Sequence, residues 1–177
     1  MSTTKWVLDP THSEVSFKIK HMMISNVTGH FNNFNVNAET EADDFSKSNI
    51  SFTADINSID TNNEQRDGHL KSADFFDTEK YPQLKFESSK LEKKSDEEYA
   101  LHGNLTIRDV TKPINLKVDF GGIAKDPYGN TKAGFTLEGK INRKDFGLTW
   151  NAATEAGGLL VGEDLKVHAE IQLVKQA

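Results

Sequence analysis

Apolar and polar residues alternate along most of this chain. In residues 15–21, for example, Val15, Phe17 and Ile19 share one parity, and the positions between them are polar. Alternation with a period of two is typical of an antiparallel strand that has one buried face and one solvated face. The same alternation recurs in seven further stretches, at residues 27–38, 50–56, 84–87, 99–108, 114–120, 132–141 and 165–173. The pattern therefore predicts an all-β protein with about eight long strands.

Two places depart from this simple alternation. Residues 58–71 lack the period of two, and Thr61 is followed three residues later by Glu64, which is the pattern of a helix capping box. In the second stretch the apolar parity switches at Asn32 and Asn33, which predicts a bulge that bends the sheet. We therefore expect one short helix and one sharply bent strand.

Strands that each have one apolar face close in one of two ways, as a sandwich of two sheets or as one sheet curled into a barrel. An eight-stranded barrel is either filled by its own side chains or holds one small ligand. Small residues on the inward parity, set among large rings, are expected to leave volume unfilled; they are Ala54, Gly103, Ala133, Gly139 and Ala169. A solid, interdigitated core is the alternative, and the period alone leaves both open.

Length and composition narrow the classes of function. The chain has 177 residues, which we expect to form a single domain over 1–177. It contains no cysteine, which excludes disulfides and thiol nucleophiles. The net charge of −6 gives it no general attraction for nucleic acid. Eleven of the 16 aromatic residues are phenylalanine, and rings without a polar group belong in a core, around an apolar ligand or at an interface.

The sequence also indicates in which cellular compartment the protein is expected. No apolar stretch is long enough for a membrane-spanning helix, so no stable membrane insertion is expected. The first ten residues, MSTTKWVLDP, have neither the apolar region nor the cleavage site of a signal peptide. We therefore expect a cytoplasmic protein, or a periplasmic or secreted one if a leader was removed from this sequence.

The residue pattern gives little support to catalysis or metal binding. Asp67, His69 and Ser72 are the residue types of a hydrolytic triad, but they crowd into one short element without a nucleophile elbow. The spacing of the histidines matches no metal-binding motif. We expect no enzyme activity, no metal and no cofactor, and a hydrolase is the least favoured alternative.

Several short motifs are distributed over the chain from Trp6 to Val174. The most specific one begins at Asp60-Thr61-Asn62 and continues as Arg66-Asp67-Gly68-His69-Leu70-Lys71-Ser72-Ala73-Asp74-Phe75-Phe76. The others are Asp9-Pro10-Thr11-His12-Ser13, Tyr81-Pro82, Gly103-Asn104-Leu105-Thr106-Ile107, Val110-Thr111-Lys112-Pro113 and the stretch 139–146. Together these motifs resemble the YceI-like family of lipid-binding proteins.

The resemblance implies a lipocalin-like, eight-stranded antiparallel β-barrel with one short capping helix. It also implies an elongated apolar cavity for a long-chain amphiphilic lipid, of the polyisoprenoid or fatty-chain (fatty acid or amide) type. The protein would carry, store or sequester that lipid without chemistry on it. Each buried methylene contributes ~0.8 kcal/mol, so a chain of about 16 carbons gains on the order of 12 kcal/mol before the costs of ordering and association.

The residues expected to contact the lipid chain are apolar and lie on the inward parity, beside the predicted bulge or at and after the helix. They are Phe17, Ile19, Phe31, Phe34, Phe52, Ile56, Leu70, Phe75, Phe76, Leu84, Phe86, Leu105, Phe135 and Leu137. The polar head needs donors at the barrel mouth, for which the candidates are His21, Arg66, His69 and Arg143. The structural alternative is an ordinary core position for the apolar residues and for His21. For Arg66 it is either a pair with Asp67 or a tie between the helix and the barrel rim.

Three further expectations complete the prediction. A ligand-free stress-response or interaction protein with a solid barrel is the alternative function. The stretch 151–158 is expected to form a mobile loop beside the pocket. A homodimer is expected to use an edge near residues 151–163.

Overall fold

The computed structural model describes residues 3–22, 24–151 and 161–176, which form eleven strands and one α-helix. Single turns of 3₁₀-helix lie at Pro10–His12, Ile56–Ser58 and Arg143–Phe146. The strands and the helix, in chain order, are β1 (Thr3–Leu8), β2 (Glu14–His21), β3 (Ser25–Phe31), β4 (Phe34–Glu41), β5 (Asp44–Asp55), β6 (Ile59–Asp60), α1 (Glu64–Lys71), β7 (Gln83–Lys93), β8 (Glu98–Ile107), β9 (Val110–Lys125), β10 (Thr131–Asn142) and β11 (Val161–Lys175).

The described strands form one antiparallel sheet that closes on itself. β1 pairs with β4 on one side and with β11 on the other, which joins the two ends of the order β1-β4-β5-β7-β8-β9-β10-β11. The prediction of an eight-stranded, lipocalin-like antiparallel barrel is therefore confirmed, and the sandwich is excluded. β2, β3 and β6 continue the wall beyond this ring.

Two walls of the barrel are strands interrupted by a turn. β1 and β2 both pair with β11, at Leu173–Lys175 and over 161–170, and the turn Pro10–His12 separates them. Asn32 and Asn33 separate β3 from β4 in the same way, with β3 paired to β2 and β4 paired to β1. The prediction of a bulge inside one continuous strand is therefore wrong. The strand ends and restarts, because its partner strand is interrupted at the same level.

The helix is shorter than the sequence pattern predicts. It begins at Glu64, and Asn63 caps it by accepting the backbone N–H of Arg66 at 3.0 Å. Thr61, which the pattern predicts as the cap, instead donates its N–H and its hydroxyl to Asp67 at 2.8 and 2.5 Å. The capping-box prediction is therefore wrong, because the threonine hydroxyl is already bound to the carboxylate of a helix residue.

The end of the barrel that holds the start of β1 and the end of β11, here called the terminal end, is filled with aromatic rings. The centroid of the Phe45 ring lies 4.9 Å from that of Trp6, 5.8 Å from that of Phe120 and 5.0 Å from that of Phe135. Tyr99 extends the cluster, with its ring 5.9 Å from that of Phe120. This cluster closes the terminal end.

The opposite end, here called the helix end, holds α1 and the β2–β3 and β8–β9 hairpins. No residue of α1 is buried, since Leu70 is its only large apolar residue. Phe75 and Phe76, in the turn after the helix, are buried. The ring of Phe75 lies 5.5 Å from that of Trp150, and the ring of Phe76 lies 6.4 Å from that of Phe31. The turn after the helix therefore covers this end more than the helix does.

Candidate functional site

An apolar cavity lies inside the barrel, between Phe45 near the terminal end and Phe76 at the helix end. Its volume is about 190 Å³, whereas one water needs only about 10–15 Å³. Of its 27 lining residues 26 are apolar, and the exception, Ser16, donates its hydroxyl to the backbone carbonyl of His168 at 3.3 Å. The described wall therefore offers no free polar side chain. A cavity of this kind stays dry and binds apolar groups.

Nine of the fourteen residues predicted to contact a lipid chain lie on the cavity wall. They are Phe17, Phe31, Phe52, Phe76, Leu84, Phe86, Leu105, Phe135 and Leu137. Six strands and the turn after α1 contribute them, because one parity of each strand faces the barrel interior. Their contact with a lipid stays a prediction.

The other five predicted residues do not line the cavity and lie at the helix end. Ile56 and Phe75 are buried in the turns that follow β5 and α1. Phe34 is half-buried at the start of β4, and Ile19 and Leu70 are half-buried in β2 and α1. Strict alternation fails there because turns, the helix and a strand outside the closed ring replace the regular barrel wall.

Eighteen further lining residues were not singled out from the sequence. Most lie on β8, β9 and β11 at the same parity as the predicted residues, so the alternation could have identified them. Phe45 and Leu148 gave no such signal. Phe45 follows the polar turn before β5, and Leu148 lies outside any strand.

The small residues on the inner face do not all leave empty volume. A Cβ at Gly103 would overlap the ring of Phe86, and one at Gly139 would overlap the side chain of Leu116. Each larger side chain therefore lies across the glycine of the neighbouring strand and fills its space. The prediction of unfilled volume is wrong at these two glycines. Ala54 and Ala133 are fully buried and do not line the cavity either, whereas Ala169 does.

Arg66 ties the helix to the segment before it. Its Nε donates to Thr61 Oγ1 at 2.8 Å, and its Nη2 donates to the Thr61 carbonyl at 2.5 Å. Asp67 accepts from the same threonine. The side chains of Arg66 and Asp67 are both bound to Thr61 and not to each other. Of the structural alternatives for Arg66, the structure therefore has a tie that holds the helix. We therefore do not assign Arg66 to a ligand head group.

His69 belongs to a small aromatic group over the helix end. Its Nε2 lies 2.9 Å from Asp74 Oδ2, and its ring lies 4.6 Å from that of Trp150 and 5.1 Å from that of Phe75. His21 ends β2 on the same side of the barrel, and its side chain makes no hydrogen bond or ion pair with the described residues. His21 and His69 therefore remain the candidates for a polar head.

Arg143 is only 2% exposed, and backbone carbonyls surround its guanidinium. Its nitrogens donate to Gly162 at 2.7 Å, Leu148 at 2.6 Å, Trp150 at 2.8 Å and Val161 at 3.3 Å. Burial lowers the pKa of this guanidinium from its usual value. Arg143 thus joins the segment after β10 to the start of β11, and its donors are engaged by the protein itself.

The residues of the suggested triad each bind a different partner. Asp67 accepts from Thr61, His69 pairs with Asp74, and Ser72 donates its hydroxyl to the His69 carbonyl. A triad instead requires the histidine ring to accept the serine hydroxyl. In the described part of the chain, no three histidine or acidic side chains are grouped so as to hold a metal ion.

Two predictions concern residues that the structure largely does not describe. Residues 152–160 are outside the described residues, so the loop at 151–158 and the dimer edge near 151–163 stay predictions. Among the described helices, none is long and apolar enough to cross a membrane.

A closed antiparallel barrel around an apolar cavity places this protein in the class of lipocalin-like barrels. The chain belongs to the YceI-like domain family, whose model matches residues 6–173. A UPF0312 protein of Staphylococcus aureus (strain N315) is 39% identical over 170 residues, which cover 96% of both chains.

Solved structures show the same barrel. The YCEI protein of Campylobacter jejuni is 36% identical, with a TM-score of 0.77 over 96% of this chain and 97% of that chain. A polyisoprenoid-binding domain from Saccharophagus degradans is 14% identical, with a TM-score of 0.70 over 97% of this chain and 98% of that chain. At that identity the second likeness concerns the fold alone.

Proposed function

We propose that this protein binds the hydrocarbon chain of one long-chain amphiphilic lipid inside the barrel and acts as its carrier or store. The composition of the cavity wall carries the proposal, since 26 of 27 lining residues are apolar and the remaining hydroxyl is already bonded. A wall of this kind favours a methylene chain and has no side-chain group to compensate a buried polar or charged molecule.

The energetics favour the burial of a methylene chain in this cavity. Each methylene that leaves water contributes ~0.8 kcal/mol. The cavity wall is largely preformed by the strands of a closed barrel, so little of this gain is spent on ordering side chains. The head group then stays outside the apolar region, at the helix end, where His21 and His69 are the nearest candidates to contact it.

A polyisoprenoid chain is the first ligand class to test. The Saccharophagus degradans neighbour is a polyisoprenoid-binding domain, which supports this choice. Saturated fatty chains are the second class, because the wall has no polar group that would discriminate between them.

Native mass spectrometry of the gently purified protein, followed by solvent extraction and lipid identification, tests the proposal. We expect one co-purifying lipid per chain, or stoichiometric uptake of added polyprenol by the emptied protein. Absence of both would overturn the proposal in favour of a ligand-free barrel.

A matched pair of variants links binding to the cavity. Phe52 lines the cavity, whereas Phe34, whose ring lies 6.1 Å away, does not. Both are half-buried. We expect Phe52→Asp to abolish lipid uptake and Phe34→Asp to retain it, with folding of both verified by far-ultraviolet circular dichroism. Equal uptake by both folded variants would contradict a site inside the barrel.

A further inference from the structure

The tip of the β2–β3 hairpin exposes large apolar side chains at the helix end. Ile24 is 81% exposed and Met22 is 44% exposed. The backbone N–H of Ile24 donates to the carbonyl of His21 at 3.2 Å, which holds the turn in place. The side chains of Met22 and Ile24 are therefore exposed to the surroundings of the protein.

The chemistry of this turn is unfavourable for a protein surface in water. Met22 has a φ of 54°, a left-handed conformation that glycine, asparagine or aspartate adopts at lower cost. Tight turns generally carry such residues and polar side chains. Neither Met22 nor Ile24 belongs to the core or packs against it. A local rule broken without a packing gain is typical of a functional position.

Three lysines behind the tip lack acidic partners among the described residues. Lys18 and Lys20 share the outer face of β2, and Lys166 lies directly opposite Lys18 on β11. The acidic residues nearby on β11 are engaged, since Asp164 lies 3.7 Å from Lys140 and Glu163 lies 2.8 Å from Lys144. Although the net charge of the chain is −6, these three lysines give the outer face behind the tip a local positive charge.

The inner face of the same hairpin leads from the cavity toward the tip. Phe17 lines the cavity, and Ile19 and Val27, which pair with each other, continue the apolar face toward the tip. Leu165, which lies opposite Ile19, also lines the cavity. Met22 is five residues beyond Phe17, or roughly 17 Å along an extended strand. The apolar part of this face therefore extends from the cavity to the Ile19–Val27 pair, and the pair of His21 and Ser25 lies between it and the tip.

We propose that the β2–β3 hairpin docks on an anionic lipid surface, with Met22 and Ile24 inserted among the lipids and Lys18, Lys20 and Lys166 held by the negative head groups. An apolar tip combined with flanking lysines is the combination that binds membrane interfaces. The purpose of the contact, loading or release of a lipid at the helix end, rests on the proposed function. The docking itself does not.

Vesicle flotation tests the docking. The probes are vesicles of phosphatidylcholine alone and of phosphatidylcholine mixed with phosphatidylglycerol. We expect binding to the mixed vesicles, and we expect it to weaken as salt is raised. Ile24→Asp should reduce it about tenfold or more. Tyr128→Asp is the matched control, because Tyr128 is 88% exposed at the tip of the β9–β10 hairpin, at the other end of the barrel.

Charge variants test the second half of the proposal. Lys18→Gln and Lys20→Gln should each weaken binding to the mixed vesicles about fivefold. Lys125→Gln, at the end of β9 near the terminal end, should leave binding unchanged. The docking is overturned if the wild-type protein does not bind, if Ile24→Asp binds as well as Tyr128→Asp does, or if phosphatidylcholine alone binds equally well.

Lipid content, measured by native mass spectrometry on the same variants, separates this proposal from the proposed function. A filled cavity without vesicle binding overturns the docking alone. Vesicle binding by a protein whose cavity never takes up lipid overturns the lipid-binding function and leaves the docking supported.

Discussion

Replacing Ala169 with leucine tests whether the space inside the barrel is empty. Ala169 lies on β11 opposite Val15 and Leu137, is 7% exposed and lines the cavity. Leucine adds three carbons at this position. If they enter a void, they gain about 2.4 kcal/mol at ~0.8 kcal/mol per buried methylene. In a solid core the same carbons would cost about 1–3 kcal/mol through overpacking. A barrel with a void and a barrel with a solid core therefore predict changes of opposite sign in the free energy of unfolding.

The control is Ala133→Leu. Ala133 is fully buried on β10, opposite Leu173, but does not line the cavity. We expect it to be destabilised by about 1–3 kcal/mol, since no void accepts the added carbons. The free energy of unfolding is measured by urea titration of the delipidated proteins, because a bound lipid would stabilise the folded state on its own.

The same variant should compete with the ligand. A leucine that occupies part of the cavity displaces two or three methylenes of a bound chain, which corresponds to about a tenfold or greater loss of affinity. Stabilisation together with weaker lipid binding is the expected outcome. If Ala169→Leu is destabilised as strongly as Ala133→Leu, the interior is a solid core, and the empty cavity beside Ala169 is refuted.

Three further predictions concern the barrel wall and its ties. Gly103→Ala should destabilise by at least about 2 kcal/mol in urea titration, because its Cβ would overlap the Phe86 ring and a backbone carbonyl. The Lys132 ammonium, 2.7 Å away, holds the pKa of the Asp9 carboxyl below its usual value of 3.8. The advantage of wild type over Asp9→Asn in melting temperature should therefore be full above pH 3.8 and shrink as the pH falls below it. Arg143→Leu should cost about 3 kcal/mol or more and make residues 147–151 sensitive to limited proteolysis, because several buried carbonyls lose their donor.

Each of these has a contradicting outcome. Wild-type stability of Gly103→Ala would mean that the Phe86 ring moves freely into the cavity. A pH-independent difference between wild type and Asp9→Asn would show that the Asp9 carboxylate has the same pKa in the folded and unfolded chain. Unchanged proteolysis of Arg143→Leu, with Arg143→Lys as the conservative comparison, would show that the carbonyls find other partners.

Most strands of the barrel wall could be predicted from the local alternation of apolar and polar residues. The alternation of Phe17 with its polar neighbours, and the same period in seven other stretches, predicted nine of the eleven strands at least in part. β1 and β6 were missed for different reasons. β1 has only a short apolar run around Trp6, and β6 has two residues, Ile59 and Asp60, which form a strand only because β3 offers them an edge.

The site was partly predictable for the same reason. Phe52, Phe86 and Leu105 line the cavity because parity alone assigns them to the inner face. The polar candidates were less well predicted, since a charged side chain near the mouth binds whatever donor or acceptor the fold places beside it. Arg66 and Arg143 are engaged by Thr61 and by backbone carbonyls, and no sequence pattern foretells such partners.

The sequence by itself determined that the strands are antiparallel and one-faced, since a period of two depends only on local backbone geometry. It could not determine which strands meet. The contact between β1 and β11 that closes the ring joins residues about 165 positions apart, Leu8 and Leu173 among them. Whether the interior holds a cavity depended on side chains from different strands, as where Phe86 fills the space of Gly103 but nothing fills that beside Ala169. Packing across the barrel is a long-range property, and only the tertiary structure decided it.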